Sequence, residues 1–125
     1  MTQIMIDNII EIDEQKEVIH EVVTGEYREK NGQQYLIYQN ELSEKVVMKY
    51  GTEMLTITRF SNPSSIMKMH PEITTKTAIA TPVGAQHFDL KTQQYQQQEN
   101  GFDTQYQLFQ MDQKIAQYHL SVRFS

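Results

Sequence analysis

Alternation of apolar and polar residues constrains the fold of this chain more than any other feature of its sequence. Between residues 116 and 124, apolar side chains alternate strictly with polar ones: Ala116, Tyr118, Leu120, Val122 and Phe124 against Gln117, His119, Ser121 and Arg123. A similar alternation runs through Ile4–Ile12. A period of two places each set on one face of a β-strand, whereas a helix would spread the same residues around its circumference. The pattern predicts strands and little or no helix.

Turn-forming residues interrupt this pattern about every ten residues. Asn31-Gly32 is the strongest signal, because a two-residue hairpin loop requires positive φ at both central positions. Pro82 can open a second tight turn and Gly84 can close it. Further turns are predicted at Asp13-Glu14-Gln15, Gly51-Thr52, Ser61-Asn62-Pro63-Ser64, His70-Pro71-Glu72, Asn100-Gly101 and Asp112-Gln113. The sequence therefore predicts one domain, residues 1–125, of roughly ten strands joined mostly by short hairpins.

Such a meander exposes strand edges unless the sheet closes on itself. The predicted fold is all-β, a single closed antiparallel up-and-down barrel, in which Ile4–Ile12 pairs with Ile115–Phe124. The alternative is a two-sheet sandwich, which usually needs long crossover connections that this chain does not offer.

Composition narrows the classes of function. The formal net charge of −5 and the pI near 5.3 argue against nucleic acid, which requires a basic surface. The chain has no cysteine, so disulfides and thiol chemistry are excluded. Neither a secretory signal nor a run of apolar residues long enough to cross a membrane is present in the sequence. We expect a cytoplasmic protein without membrane insertion and without a cofactor, and its oligomeric state stays open.

Several short motifs together resemble the YwiB-like family of small bacterial proteins, a domain of unknown function. They are the Gly-x-Tyr at Gly25–Tyr27, the Tyr-Leu-x-Tyr at Tyr35–Tyr38, Arg59, and the Thr-Pro-x-Gly at Thr81–Gly84. The resemblance runs from about Glu17 to Val122 and implies a calycin-like barrel, the fold of lipocalins and fatty-acid carriers. The chain departs from the family pattern at Ser61, Ser65, Met69 and Glu72. The family has no established activity, so the resemblance implies no functional residue.

Candidate catalytic and metal sites find little support in the sequence. His87 and Asp89 share the parity opposite to Phe88 and Leu90, which predicts that they face solvent rather than form an acid–base pair. The four histidines, His20, His70, His87 and His119, lack metal-ligand spacing, so no metal is expected. Neither a Gly-x-Ser-x-Gly elbow nor a glycine-rich phosphate loop is present. The chain offers no positive sign of an enzyme.

Polar side chains on the predicted inner faces are the candidate ligand-binding residues. Arg59 shares parity with Leu55 and Ile57 and is expected to enter or line the barrel interior. Four tyrosines share parity with apolar neighbours and are predicted to face the lumen: Tyr27, Tyr38, Tyr106 and Tyr118. Their hydroxyls either contact a ligand or reach the barrel ends as ordinary core residues do.

Three functions remain open from the sequence. The first is binding of a small apolar or amphipathic, carboxylate-bearing molecule in the lumen, because the guanidinium of Arg59 suits a carboxylate. The second is a protein–protein adaptor whose lumen is filled by side chains. The third is an enzyme that uses a lumen Tyr or Arg. An interior cavity of about 300 Å³ or more with an open mouth favours the first function over the second.

Overall fold

The computed structural model describes residues 1–61 and 64–125, with the backbone alone at positions 80 and 81. The predicted turn at Ser61–Ser64 therefore lies partly outside the described residues. The ten strands are β1 (Thr2–Ile12), β2 (Gln15–Lys30), β3 (Gln33–Gln39), β4 (Lys45–Tyr50), β5 (Leu55–Phe60), β6 (Ser65–Met69), β7 (Thr75–Thr81), β8 (Gly84–Gln98), β9 (Gly101–Gln110) and β10 (Gln113–Phe124). No helix occurs in the described part of the chain, as the period of two predicts.

The strands form one antiparallel sheet in the order β6-β5-β4-β3-β2-β1-β10-β9-β8-β7. β1 pairs with β10 from Ile4↔Phe124 to Glu11↔Gln117, which confirms the predicted closure between the first and last strands. Asn31 and Gly32 have φ of 55° and 77°, as the predicted two-residue turn requires. The sheet curls into a nearly closed barrel, since β6 and β7 approach each other across the remaining gap.

This gap, the β6–β7 seam, is the one place within residues 1–61 and 64–125 where the predicted barrel is not closed by a ladder. A single bridge joins His70 to Ile73 beside the turn that connects the two strands. Beyond that bridge, side-chain hydroxyls replace backbone pairing: Thr75 Oγ1 donates to the Lys68 carbonyl at 2.6 Å and Thr77 Oγ1 donates to the Ile66 carbonyl at 2.9 Å. The seam is therefore held by side chains rather than by strand pairing.

The reason is a conflict of register. Directly opposed residues of an antiparallel pair must point to the same face of the sheet. The bridge His70↔Ile73 encloses the two-residue turn Pro71-Glu72, and its register would oppose Ile66 to Thr77. Ile66, however, is 49% exposed and Thr77 is 4% exposed. The ladders of the sheet, in contrast, oppose core residues to core residues, as in Leu36↔Met48 and Leu90↔Leu108.

The barrel interior is packed at one end. Tyr50, Leu55, Met69 and Phe102 are all fully buried there, and the rings of Tyr50 and Phe102 lie 5.0 Å apart. The Tyr95 hydroxyl donates to the Gly51 carbonyl at 2.5 Å across this end. We call this end of the barrel the packed end, because these side chains fill the lumen here.

Candidate functional site

A cavity of about 370 Å³ lies at the other end of the barrel, which we call the open end. Its apolar wall is formed by Val46 on β4, Ile57 on β5, Met67 on β6 and Ile79 on β7. Polar residues surround this wall: Glu21, Tyr38, Asn40, Glu41, Arg59 and Ser65. The cavity thus combines apolar surface with a charged rim, as sites for small amphipathic molecules do.

Arg59 is the positively charged residue of this rim. Cross-strand pairing places it opposite Val46 on β4 and Ser65 on β6, so its stem runs along the apolar wall. Its Nε atom is buried and has no hydrogen-bond acceptor among the described residues. The closest ion-pair partner is Glu44, whose Oε1 lies 3.8 Å from Nε, beyond hydrogen-bonding distance. The Nε–H of Arg59 is therefore a donor without an acceptor at the cavity. Leaving a buried donor unpaired costs free energy, which a bound acceptor would recover.

The segment Asn40–Glu44 forms a rigid part of the rim. The Asn40 side chain accepts hydrogen bonds from the backbone N–H of Leu42 and of Glu44, both at 3.0 Å. Its amide also donates to Glu44 Oε1 at 3.0 Å, and the backbone N–H of Asn40 donates to the Glu44 carbonyl at 2.9 Å. These hydrogen bonds pair the polar groups of the turn with one another and fix the Glu44 carboxylate, which faces Arg59.

Tyr38 lines the cavity beside Glu21. Burial, followed by the negative charge of Glu21, raises the pKa of Tyr38 to about 12. The phenol is therefore neutral near pH 7 and can donate a hydrogen bond into the cavity. Arg59 and Tyr38 are the two candidate ligand-binding residues that the structure brings together at one site.

The other three predicted tyrosines lie elsewhere in the barrel. Tyr27 stacks on Phe124 with ring centroids 4.3 Å apart, and its hydroxyl contacts Gln34 and Glu29 rather than the cavity. Tyr106 and Tyr118 stack on each other at 4.7 Å inside the wall formed by β9 and β10. Burial raises the pKa of both phenols. These three tyrosines pack within the barrel and do not line the cavity.

The polar clusters on the outer face are bonded within themselves. His87 is exposed, and Asp89 contacts Lys76 at 3.3 Å, so the two residues lie on the outer face and do not form an acid–base pair, as the parity of their strand predicts. Asp103 accepts a hydrogen bond from Ser121 at 2.5 Å and contacts His119 at 3.1 Å.

No group of three or more potential metal ligands occurs within residues 1–61 and 64–125. A helix long and apolar enough to cross a membrane is likewise not found in these ranges.

Sequence reasoning missed the two glutamates that set the charge of the site. Glu44 precedes β4 with the same parity as Val46 and Met48, and Glu21 shares parity with Ile19 and Val23 on β2. Both positions are therefore inward by the same rule that identified Arg59. They escaped notice because a glutamate in a strand is usually assigned to solvent.

The architecture defines a class: a small antiparallel barrel, packed at one end and open at the other, with a seam in place of the last ladder. Comparison with known proteins agrees. The chain belongs to the family described as a domain of unknown function (DUF1934), whose model matches residues 4–122. This confirms the resemblance to YwiB-like proteins.

The fold is similar to that of a solved structure, the crystal structure of ywiB protein from Bacillus subtilis. The TM-score is 0.75 over 99% of this chain and 91% of that chain, at 17% sequence identity. At this identity the similarity shows the fold alone. A comparison with curated proteins finds no match.

Proposed function

We propose that this protein binds a small amphipathic molecule, an apolar chain that carries a carboxylate, in the cavity at the open end. The observation that carries the proposal is the unpartnered, buried Nε of Arg59 beside an apolar wall. A carboxylate bound there would accept the hydrogen bond that Glu44 is too distant to accept. The apolar chain would lie against Val46, Ile57, Met67 and Ile79.

The size of the cavity supports a ligand over a filled lumen. About 370 Å³ exceeds the roughly 300 Å³ at which small-molecule pockets begin. The packed end limits the depth of the site, because Tyr50, Leu55, Met69 and Phe102 leave no room beyond it. The ligand is thus short, with its charged group at the rim.

The negative charge of the rim lowers the affinity of the cavity for a carboxylate. Glu21 and Glu41 line the cavity and Glu44 faces Arg59, so a carboxylate ligand enters a region with more acids than bases. Repulsion between like charges weakens binding.

A cytoplasmic location and the absence of a nucleic-acid partner belong to this proposal and are supported by the cysteine-free, acidic sequence.

The test compares decanoate with decanol, which has the same chain without the charge, by isothermal titration calorimetry. Arg59→Met keeps the length of the apolar stem and removes the guanidinium, so decanoate should bind at least tenfold more weakly while decanol is unaffected. Glu44→Gln should strengthen decanoate binding, because it removes a competing carboxylate. Arg123→Met, an exposed arginine on β10, is the matched control and should change neither affinity.

Two results would overturn the proposal. If the unmodified protein binds neither molecule, the cavity is not a site for apolar chains and the adaptor function becomes the better interpretation. If Arg59→Met and Arg123→Met bind decanoate equally well, Arg59 is not the anchor.

A further inference from the structure

The β6–β7 seam forms one side of the cavity. Ser65 and Met67 line the cavity from β6, and Ile79 lines it from β7. Two strands that a regular ladder would lock together therefore meet at the cavity wall without one. Separating them breaks the two threonine bonds and the bridge at His70, whereas separating β4 from β5 breaks pairing along six residues of each strand.

The rim of the open end is less able to move. Asn40–Glu44 is fixed by its own network of hydrogen bonds, and β3, β4 and β5 are held by ladders along their full lengths. Local opening is expected where few backbone hydrogen bonds must break. Of the walls around the cavity, the seam meets that condition best.

The seam also offers a route into the cavity whose inner side is apolar, with Lys68 and Lys76 on its outer side. Met67 and Ile79 line the cavity from its two strands on the inner side, and Ile66 is half exposed on its outer side. The end of the barrel, in contrast, presents Glu21, Glu41 and Arg59. An apolar chain that passes the charged rim loses contact with apolar surface, whereas a chain that passes between β6 and β7 keeps it.

We infer that the β6–β7 seam is the gate through which the ligand enters and leaves the cavity. This inference rests on the proposed function, since a gate requires a ligand. The two threonine hydroxyls close the gate at rest, and its opening rate sets the exchange rate of the ligand. The affinity is set separately by Arg59 and the apolar wall, because the two threonines that hold the seam do not line the cavity.

The test is a cross-link across the seam. The chain has no cysteine, so Lys68→Cys with Lys76→Cys introduces the sole pair of thiols, on the outer faces of β6 and β7. A short bis-maleimide joins them. The matched control joins Lys49→Cys to Thr56→Cys, which are direct partners in the β4–β5 ladder. Exchange of decanoate is measured by NMR before and after linking.

Linking the seam should slow both association and dissociation of decanoate at least tenfold and leave the affinity unchanged, while the control link has no effect. Unchanged rates in the seam-linked protein would overturn the gate even though decanoate binds. Failure of decanoate to bind at all would instead overturn the proposed function.

Hydrogen exchange of the ligand-free protein tests the seam by itself. Amides of Ile66, Lys68, Thr75 and Thr77 should exchange at least a hundredfold faster than those of the ladder partners Met48 and Ile57. Equal protection in the two regions would show that the seam does not open, and would overturn the gate whatever the ligand result.

Discussion

Two hairpins of this barrel close on two-residue turns and have different outcomes. Asn31-Gly32 joins β2 to β3, and the ladder runs from Lys30↔Gln33 to Gly25↔Tyr38. In the connection from β6 to β7, the turn Pro71-Glu72 is closed by the bridge His70↔Ile73, and pairing stops after this bridge. In the first hairpin the turn opposes inward Tyr27 to inward Leu36. In the second it opposes residues that need opposite faces.

The difference shows that a ladder forms only where the register set by the turn places inward residues opposite inward residues. A loop of fixed length decides which residues oppose each other, and burial decides which residues point inward. Where the two agree, backbone pairing follows. Where they disagree, burial prevails, and side chains such as Thr75 and Thr77 replace the ladder.

The strongest test is to insert one glycine into each loop. Between Asn31 and Gly32, the insertion should abolish cooperative thermal unfolding, because a slip by one residue moves the fully buried Leu36 toward solvent. Between Pro71 and Glu72, the same insertion should preserve or raise the melting temperature, because the turn can then close one position along and oppose residues that share a face. Equal losses in the two variants would refute the parity argument. Calorimetry measures both.

A core deletion measures how much a laddered wall depends on its inward side chains. Leu120 on β10 is 5% exposed, so Leu120→Ala should lower the free energy of unfolding by about 2–5 kcal/mol. Arg123→Ala, on the outer face of the same strand, should change it by no more than about 0.5 kcal/mol. Chemical denaturation gives both values. Similar losses at the two positions would contradict the assigned faces of β10.

The smallest effect concerns one seam bond. Thr77→Val keeps the shape of the side chain and removes the hydroxyl that bonds the Ile66 carbonyl, at a cost of about 1 kcal/mol in unfolding free energy. Thr77→Ser keeps the hydroxyl and serves as the control for hydrogen exchange. Faster exchange of Ile66 and Lys68 in the valine variant, but not in the serine variant, would assign closure of the seam to this bond. No change in either variant would remove Thr77 from that role.

Much of the fold could be predicted from the sequence because its strands alternate so regularly. The ten strands, the turn at Asn31-Gly32 and the pairing of β1 with β10 all followed from parity and turn chemistry. The seam did not, because the inward residues Thr75 and Thr77 are neither clearly apolar nor charged. Threonine is compatible with both faces of a sheet, so the pattern alone does not reveal the conflict.

The candidate site was predictable in part for the same reason. Parity with Leu55 and Ile57 placed Arg59 at the interior, and the structure puts it at the cavity with Tyr38. Parity does not give height along the barrel, so it grouped Tyr27, Tyr106 and Tyr118 with Tyr38, although Tyr38 alone of the four lines the cavity. Glu44 has the inward parity too, but its proximity to Arg59 required knowledge that β4 pairs with β5.

The contact between the first and last strands has a consequence for chain topology. Gln3 and Ser125 exchange two backbone hydrogen bonds, both at 3.0 Å, so residues 1 and 125 can be joined by a short linker. Cutting the chain between Pro71 and Glu72 then gives a circular permutant that runs β7 to β10 and on through β1 to β6. In this order every ladder of the sheet joins neighbours in sequence. The permutant loses the bridge at His70, and the pairing of β1 with β10, the most distant in sequence, becomes a local hairpin. Because the contacts are then closer in sequence, the permutant should fold faster than the parent.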